Sequence, residues 1–146
     1  MRAPYQQLTQ RLGFAVPALA RSLLLLGADR AAFAAALPRL EPLLAPYRGL
    51  PVVLGTPDKA SWKRLARERS SEIVRLGPHR LGTGRWLRRL RPLAVLVLEG
   101  TVAPPGLQGA CRRRGIPLLQ GRDGERALPA LLPPPESHDW HRDPVW

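Results

Sequence analysis

The chain has 146 residues, a formal net charge of +12, and 21 arginines against two lysines. This length suits one domain with a real core and is small for a two-domain enzyme. The single cysteine, Cys111, excludes an internal disulfide and any multi-cysteine metal site, and no apolar run of about 18 residues predicts a membrane span.

The amino-terminal part predicts helices and then a first strand. Residues 1–21 are typical of one or two short helices with a partly apolar side. Ser22–Leu26 is a short apolar run of strand length, and Asp29 is placed to cap the helix that follows. Pro38 and Pro42 remove hydrogen-bond donors inside that helix, so the sequence predicts a kink or break there.

Strands and helices alternate through the rest of the chain. Thr56 and Thr83 are predicted helix caps, with Pro57 at the first helical position of its helix, and a third helix ends at Gly115. The unbroken apolar run Leu93–Leu98 predicts a strand buried on both faces. The other predicted strands are Leu50–Leu54, Glu72–Leu76 and Ile116–Leu119.

Such alternation predicts βαβ units and therefore an α/β fold with a single Rossmann-like, doubly wound parallel sheet of about five strands. We divide the chain into an N-terminal helical segment (1–21), the Rossmann-like domain (22–132) and a flexible, proline-rich tail (133–146). His138 and His141 have metal-ligand spacing, but a tail gives them no rigid support, so we predict no metal site.

Two acidic residues stand where a parallel sheet binds ligands, just beyond the carboxyl ends of predicted strands: Asp29 and Glu99. If the chain has any catalytic activity, Asp29 and Glu99 are the candidate catalytic carboxylates. The structural alternatives are a helix cap for Asp29 and a loop tether for Glu99. The turn at Gly27 matches neither the dinucleotide fingerprint nor the phosphate loop, and we predict no cofactor. Cys111 is predicted to be a buried structural thiol and not a nucleophile.

Basic residues concentrate in three predicted helices. They form either a solvated charged surface or a surface for anionic lipid or nucleic acid, with Trp62 and Trp86 as interfacial aromatics. No signature of sequence-specific nucleic-acid recognition is present. The helices carry Lys63, Arg64, Arg67 and Arg69; Arg85, Arg88, Arg89 and Arg91; and Arg112, Arg113 and Arg114.

Four stretches together resemble the N-terminal domain of 3-deoxy-D-manno-octulosonic acid (Kdo) transferases, which are two-domain GT-B glycosyltransferases. They are residues 50–57, 85–92, 95–99 and 110–117. The resemblance extends over about residues 23–122. It implies a setting in lipopolysaccharide biosynthesis, where Kdo passes from CMP-Kdo to a lipid A precursor at the inner membrane without a metal in the transfer step.

The chain departs from the family at its motifs. Where the family has Ser-Val-Gly-Glu with a catalytic glutamate, residues 27–32 read Gly-Ala-Asp-Arg-Ala-Ala, which leaves Asp29 as a displaced carboxylate. Glu99 keeps the first glutamate of Glu-Thr-Glu-Leu-Trp-Pro, and Arg122 survives from Asn-Ala-Arg-Leu-Ser as an expected anion contact. The half that binds the CMP-sugar is not found, so we expect little transfer by these residues alone.

These observations leave three functional hypotheses. The first is an acceptor-side Kdo transferase-like domain whose partner is a lipid A precursor or an anionic membrane surface. The second is a non-catalytic scaffold that pairs with a separate glycosyltransferase chain. The third is non-specific polyanion binding by the arginines. The absence of a signal-peptide pattern predicts a cytoplasmic protein, peripheral on the cytoplasmic face of the inner membrane in the first hypothesis.

Overall fold

The structure, a computed structural model, describes residues 16–69, 71–79 and 81–134. Its strands are β1 (Ser22–Leu26), β2 (Val52–Thr56), β3 (Ile73–Leu76), β4 (Pro92–Val97) and β5 (Leu118–Gln120). Its α-helices are α1 (Arg30–Leu44), α2 (Lys59–Glu68), α3 (Thr83–Leu90), α4 (Leu107–Arg114) and α5 (Gly121–Leu131), and a 3-10 turn at Ala45–Tyr47 follows α1.

The five strands form one sheet in the order β3-β2-β1-β4-β5, and every pairing is parallel. This confirms the predicted α/β fold with a Rossmann-like, doubly wound sheet. The strand order reverses between β1 and β4, because the chain returns to the middle of the sheet after β3. Ligands of such sheets bind in the crevice beyond the carboxyl ends of the strands at that point.

Strand β1 shows how the core is divided. All five of its residues are buried. Leu23 and Leu25 pack into a cluster with side chains of α1, α2 and α5, whereas Leu24 and Leu26 pack into a second cluster with side chains of α3 and α4. Because successive side chains of a strand point to opposite faces, a continuous leucine run can serve two helical layers.

Helix α1 continues through Pro38 and Pro42, so the predicted break is wrong. Each proline removes one internal donor and would ordinarily weaken a helix. The helix holds together because one side of it is buried against the sheet, and tertiary packing supplies most of the stability of a protein helix. The buried residues of α1 are Phe33, Ala36, Leu37 and Leu40.

The start of α2 differs from the prediction as well. Asp58 caps the helix, and its carboxylate accepts the backbone N–H of Ser61 at 3.0 Å. Thr56 is instead the last residue of β2, and its hydroxyl donates to the carbonyl of Ala28 at 3.2 Å. The predicted Thr56 cap is therefore wrong by two positions. Similarly, Thr83 is the first residue of α3 and not its cap.

Helix α5 was not predicted from the sequence. Gly121, Gly124 and Pro129 lower its intrinsic helix propensity. The helix forms because it packs on β4 and β5, where an added Cβ on Gly124 would lie 2.9 Å from side-chain atoms of both Leu96 and Leu119. A close approach to the sheet thus explains a glycine that propensity alone counts against a helix.

The predicted amino-terminal helices are absent from the described part of that segment, residues 16–21. Val16 is fully buried beside α3, and the backbone N–H of Leu19 donates to the carbonyl of Arg89 at 2.7 Å. This segment is held to α3 by tertiary contacts. Residues 1–15 and most of the predicted tail (135–146) lie outside the described residues.

Candidate functional site

Three connections meet at the carboxyl edge of the sheet around β4. Val97 pairs with Leu26 of β1 on one side and with Gln120 of β5 on the other. The residues that the sequence singled out follow these paired positions within three residues in each connection. They are Asp29, Glu99 and Arg122. The fold therefore brings all three predicted site residues to one edge, across the point where the strand order reverses.

Hydrogen bonds lock the loops of this edge to one another. The backbone N–H of Ala28 donates to Oγ1 of Thr101 at 2.9 Å, which ties the β1 loop to the β4 loop. The carbonyl of the same residue accepts the hydroxyl of Thr56, which ties in β2. The two backbone polar groups of Ala28 thus join the β1 loop to the β4 loop and to the end of β2. Thr101, which was not predicted from the sequence, therefore positions the edge.

Asp29 acts as the N-cap of α1. Its backbone is extended, with φ −159°, and its Oδ1 accepts the backbone N–H of Ala32 at 3.0 Å. A carboxylate in this position satisfies an otherwise unpaired helical donor and interacts favourably with the positive end of the helix dipole. Of the two alternatives for Asp29, the geometry favours the helix cap.

We expect Asp29→Ala to lower the free energy of unfolding by about 1 kcal/mol, because the cap is lost. Asp29→Ser should lose much less, since a serine hydroxyl accepts the same backbone N–H. Urea unfolding of the two variants measures the difference. Equal stability of Asp29→Ala and the unchanged chain would show that Asp29 is no cap and would return it to consideration as a free carboxylate.

Glu99 is exposed at the end of β4, and Gly100 with φ +80° turns the chain away behind it. The loop is tethered through Thr101 and not through this carboxylate, so the predicted tether role belongs to its neighbour. The pKa of Arg39 is raised mainly by a hydrogen bond to Glu125, and the negative charge of Glu99 adds to the shift. Glu99 therefore contributes negative charge to a solvent-facing edge.

Among the described residues, Glu125 is the one acidic residue that is buried, with 4% of its surface exposed. Its two oxygens accept Nε and Nη2 of Arg39 at 2.8 and 2.9 Å, which links α5 to α1. Such a bidentate pair satisfies the buried charge. This role could not be predicted, because no helix was expected around Glu125, and we assign the pair to the scaffold and not to the site.

Arg122 is the exposed second residue of α5. The helix begins after Gln120, whose side chain makes no capping hydrogen bond, so the first turn of α5 presents its backbone N–H groups at the sheet edge. The one acidic residue of that turn, Asp123, is paired with Arg126 at 3.0 Å. Arg122 is thus compatible with the predicted contact to an anion.

A groove of about 310 Å³ lies along the same edge, where the connections after β2, β3 and β4 come together. Val102 at its rim is 90% exposed. Nδ1 of His79 accepts the backbone N–H of Leu81 at 3.2 Å, which leaves Nε2 as the ring donor of a neutral imidazole. The lining residues are Pro57, Pro78, His79, Val102, Ala103, Pro104 and Pro105.

This groove was not predicted from the sequence. The usable signal was the recurrence of proline in the connections that follow three strands, which marks segments without regular structure. What the sequence could not supply is the strand order that places those three connections side by side. An apolar groove with a single polar side chain suits the apolar part of an amphipathic ligand.

A second concavity, of about 370 Å³, lies between the starts of α1 and α2. Its polar groups are already used. Ser61 donates its hydroxyl to Asp58 and accepts the backbone N–H of Arg30 at 2.8 Å, and that hydroxyl is the main reason that the pKa of Asp58 is lowered. The guanidinium of Arg30 is paired with Glu68 at 3.0 Å. These contacts fasten α1 to α2.

Cys111 is 1% exposed inside the α3–α4 layer. Burial raises the pKa of its thiol, and the charge of Arg114 opposes the shift only in part. A buried thiol with a raised pKa is a poor nucleophile, which confirms the structural interpretation. Among the described residues no group of three or more His, Cys, Asp or Glu side chains is placed to hold a metal ion. His138 and His141 lie outside those residues.

The two tryptophans predicted at an interface are core residues. Trp62 is 2% exposed and Trp86 is fully buried, each in a different hydrophobic cluster. The prediction is wrong because the apolar side of each amphipathic helix faces the sheet, and tryptophan falls on that side in both. None of the helices in the described ranges has the length and apolarity needed to span a bilayer.

Comparison with known proteins leaves the family open: neither the protein-family models nor the curated proteins give a match to this chain.

Proposed function

We propose that the chain is an acceptor-side domain of the Kdo transferase type, which binds an anionic lipid acceptor such as a lipid A precursor and transfers no sugar by itself. The observation that carries this proposal is the position of Asp29, Glu99 and Arg122 on one edge, in register across β1, β4 and β5. That edge is where open α/β sheets bind ligands. The sequence resemblance supplies the class of acceptor.

The state of the two carboxylates supports binding without catalysis. A general base must reach the proton that it removes, and it contributes about a hundredfold to ten-thousandfold in rate. Asp29 is engaged with the backbone of α1 through its Oδ1. Glu99 is exposed to solvent and is not enclosed in a site that excludes water.

The edge also offers complementary contacts to a phosphorylated glycolipid. Arg122 and the backbone N–H groups at the start of α5 suit a phosphate group. The proline-lined groove of about 310 Å³ suits apolar atoms near the sugar. The hydrogen bonds of Ala28 with Thr101 and Thr56 hold the connections beside the groove in fixed relative positions, which reduces the entropy lost on binding.

The experiment is to incubate the purified chain with a lipid A precursor, with and without CMP-Kdo, and to measure lipid binding and the lipid mass. We expect binding that weakens in Arg122→Gln, and an unchanged lipid mass. Arg126→Gln is the matched control, because Arg126 lies one helical turn further along α5 and pairs with Asp123. Absence of binding by the folded chain would contradict the proposal.

A Kdo mass increment would contradict the non-catalytic part of the proposal. Glu99→Gln and Asp29→Asn would then identify the carboxylate responsible, through the loss of the increment in one variant. The role of Asp29 as a helix cap also favours the scaffold hypothesis. In that hypothesis a partner chain supplies both the donor site and the general base. Co-purification of a glycosyltransferase with the tagged chain, together with no lipid binding, would favour that second function.

A further inference from the structure

The acidic residues of the helices all lie in one of the two helical layers, whereas basic residues occur in both. The six ion pairs of the described residues use carboxylates of α1, α2, α5 and the segment before β3. Helices α3 and α4 contain no acidic residue, and Glu99 is the only one between Glu72 and Asp123. These two helices pack against each other and cover the same side of the sheet.

We call the outer surface of these two helices the α3–α4 face. The guanidinium of Arg114 crosses from α4 to α3, because its Nη2 lies 3.2 Å from the position that a Cβ on Gly84 would occupy. The arginines of both helices therefore form one surface and not two. The face carries Arg85, Arg88, Arg89, Arg91, Arg112, Arg113 and Arg114.

Five of these arginines are exposed and lie outside every ion pair of the described residues: Arg88, Arg91, Arg112, Arg113 and Arg114. Arg114 also donates to the carbonyl of Ala110 at 3.3 Å, so it is engaged in the packing of the helices. Each helix has eight residues and is therefore about 12 Å long, comparable with the Debye length of roughly 8–10 Å in physiological salt. Like charges this close repel one another. The binding of an extended anion to the face relieves this repulsion and is therefore electrostatically favourable.

Two exposed aliphatic side chains lie in the connections that lead into these helices. Leu81, two residues before α3, is 73% exposed, and Val102, in the connection that leads to α4, is 90% exposed. A nucleic-acid backbone offers phosphates to the arginines but no apolar layer to these two aliphatic side chains. A bilayer surface offers both, with phosphates above the acyl boundary.

We propose that the α3–α4 face binds the surface of a bilayer that contains anionic phospholipid. The arginines bind headgroup phosphates, and Leu81 and Val102 enter the interfacial region. Val102 also lines the proline-rich groove, so docking in this way sets the groove at the level of the lipid headgroups. The inference rests on the described surface and is independent of the proposed function.

The test measures binding of the full chain to phosphatidylcholine vesicles with and without phosphatidylglycerol, and to duplex DNA. The α3–α4 variant changes Arg88, Arg91, Arg112 and Arg113 to glutamine. The control changes Arg48, Lys59, Lys63 and Arg67 to glutamine, which removes the same charge from exposed positions outside the face. Because each arginine near an anionic surface is worth about fivefold in affinity, we expect at least about a hundredfold loss in the first variant.

Three results would overturn the inference: no binding to the anionic vesicles, equal losses in the two charge-matched variants, or unchanged vesicle binding in Leu81→Asn with Val102→Asn. The aliphatic double variant should weaken vesicle binding by tenfold or more while leaving DNA binding unchanged. The vesicles contain no lipid A precursor. Failure here is therefore separate from failure of acceptor binding by Arg122.

Discussion

Replacing Trp86 with alanine is expected to lower the free energy of unfolding by about 3–5 kcal/mol. Trp86 is the largest of the fully buried side chains and belongs to the cluster between the sheet and the α3–α4 layer. Its removal deletes the side chain that fills the space beside Gly55 of β2. In a domain of ordinary stability, a loss of this size leaves a large unfolded population at moderate temperature.

Urea unfolding monitored by far-UV circular dichroism measures this loss. Trp86→Phe keeps an aromatic ring in the cluster and should lose clearly less than Trp86→Ala. Leu81→Ala provides the exposed control and should stay within about 0.5 kcal/mol of the unchanged chain. If Trp86→Ala instead weakened vesicle binding and left stability unchanged, Trp86 would be the interfacial aromatic that the sequence suggested, and the buried position would be wrong.

The parts of the fold that could be predicted from sequence are those with local causes. The apolar run of β4 is buried on both faces as expected, since a continuous apolar strand has no solvent side, and β1 forms over its predicted residues. Asp29 was correctly placed as a helix cap because a capping interaction extends over only three residues. The carboxyl-edge location of Asp29, Glu99 and Arg122 follows from the same strand assignments.

The features that were not predicted depend on contacts between residues that are distant in the sequence. Helix α5 forms against β4 and β5 in spite of two glycines and a proline, so propensity opposes what packing decides. The α3–α4 face needs the two helices to be neighbours, and the arginines of α3 and α4 are separated by a strand and a loop in the sequence. Only the strand order, with β4 beside β1, brings them together.

The same distance effect shapes the candidate site. Thr101 and Ala28 are 73 residues apart, and their hydrogen bond holds the edge where a ligand would sit. A threonine in a loop carries no pattern that predicts such a partner. The proline-lined groove has the same origin, since three separate connections form it. Sequence motifs therefore located the edge, whereas its geometry required the assembled sheet.

Gly55→Ala is expected to lower the free energy of unfolding by about 1–3 kcal/mol, and Gly55→Val by more. A Cβ on Gly55 would lie 2.8 Å from Cδ2 of Leu26, 2.9 Å from the carbonyl oxygen of Gly77 and 3.1 Å from Trp86. The leucine tip can move, but the carbonyl belongs to backbone that follows β3, where the N–H of Gly77 donates to Thr56 at 2.8 Å. The clash is therefore relieved only by opening the β2–β3 edge.

The matched control is Gly109→Ala in α4, where the added Cβ meets only the mobile Nη1 of Arg113 at 3.4 Å. Alanine there should raise the stability by about 0.5–1 kcal/mol, because glycine inside a helix is unfavourable. The same Gly→Ala change is then expected to lower the stability at the buried position 55 in the sheet and to raise it at the partly buried position 109 in α4. Thermal unfolding of both variants measures the signs, and a Gly55→Ala variant as stable as Gly109→Ala would show that β2 and Trp86 are not in this close contact.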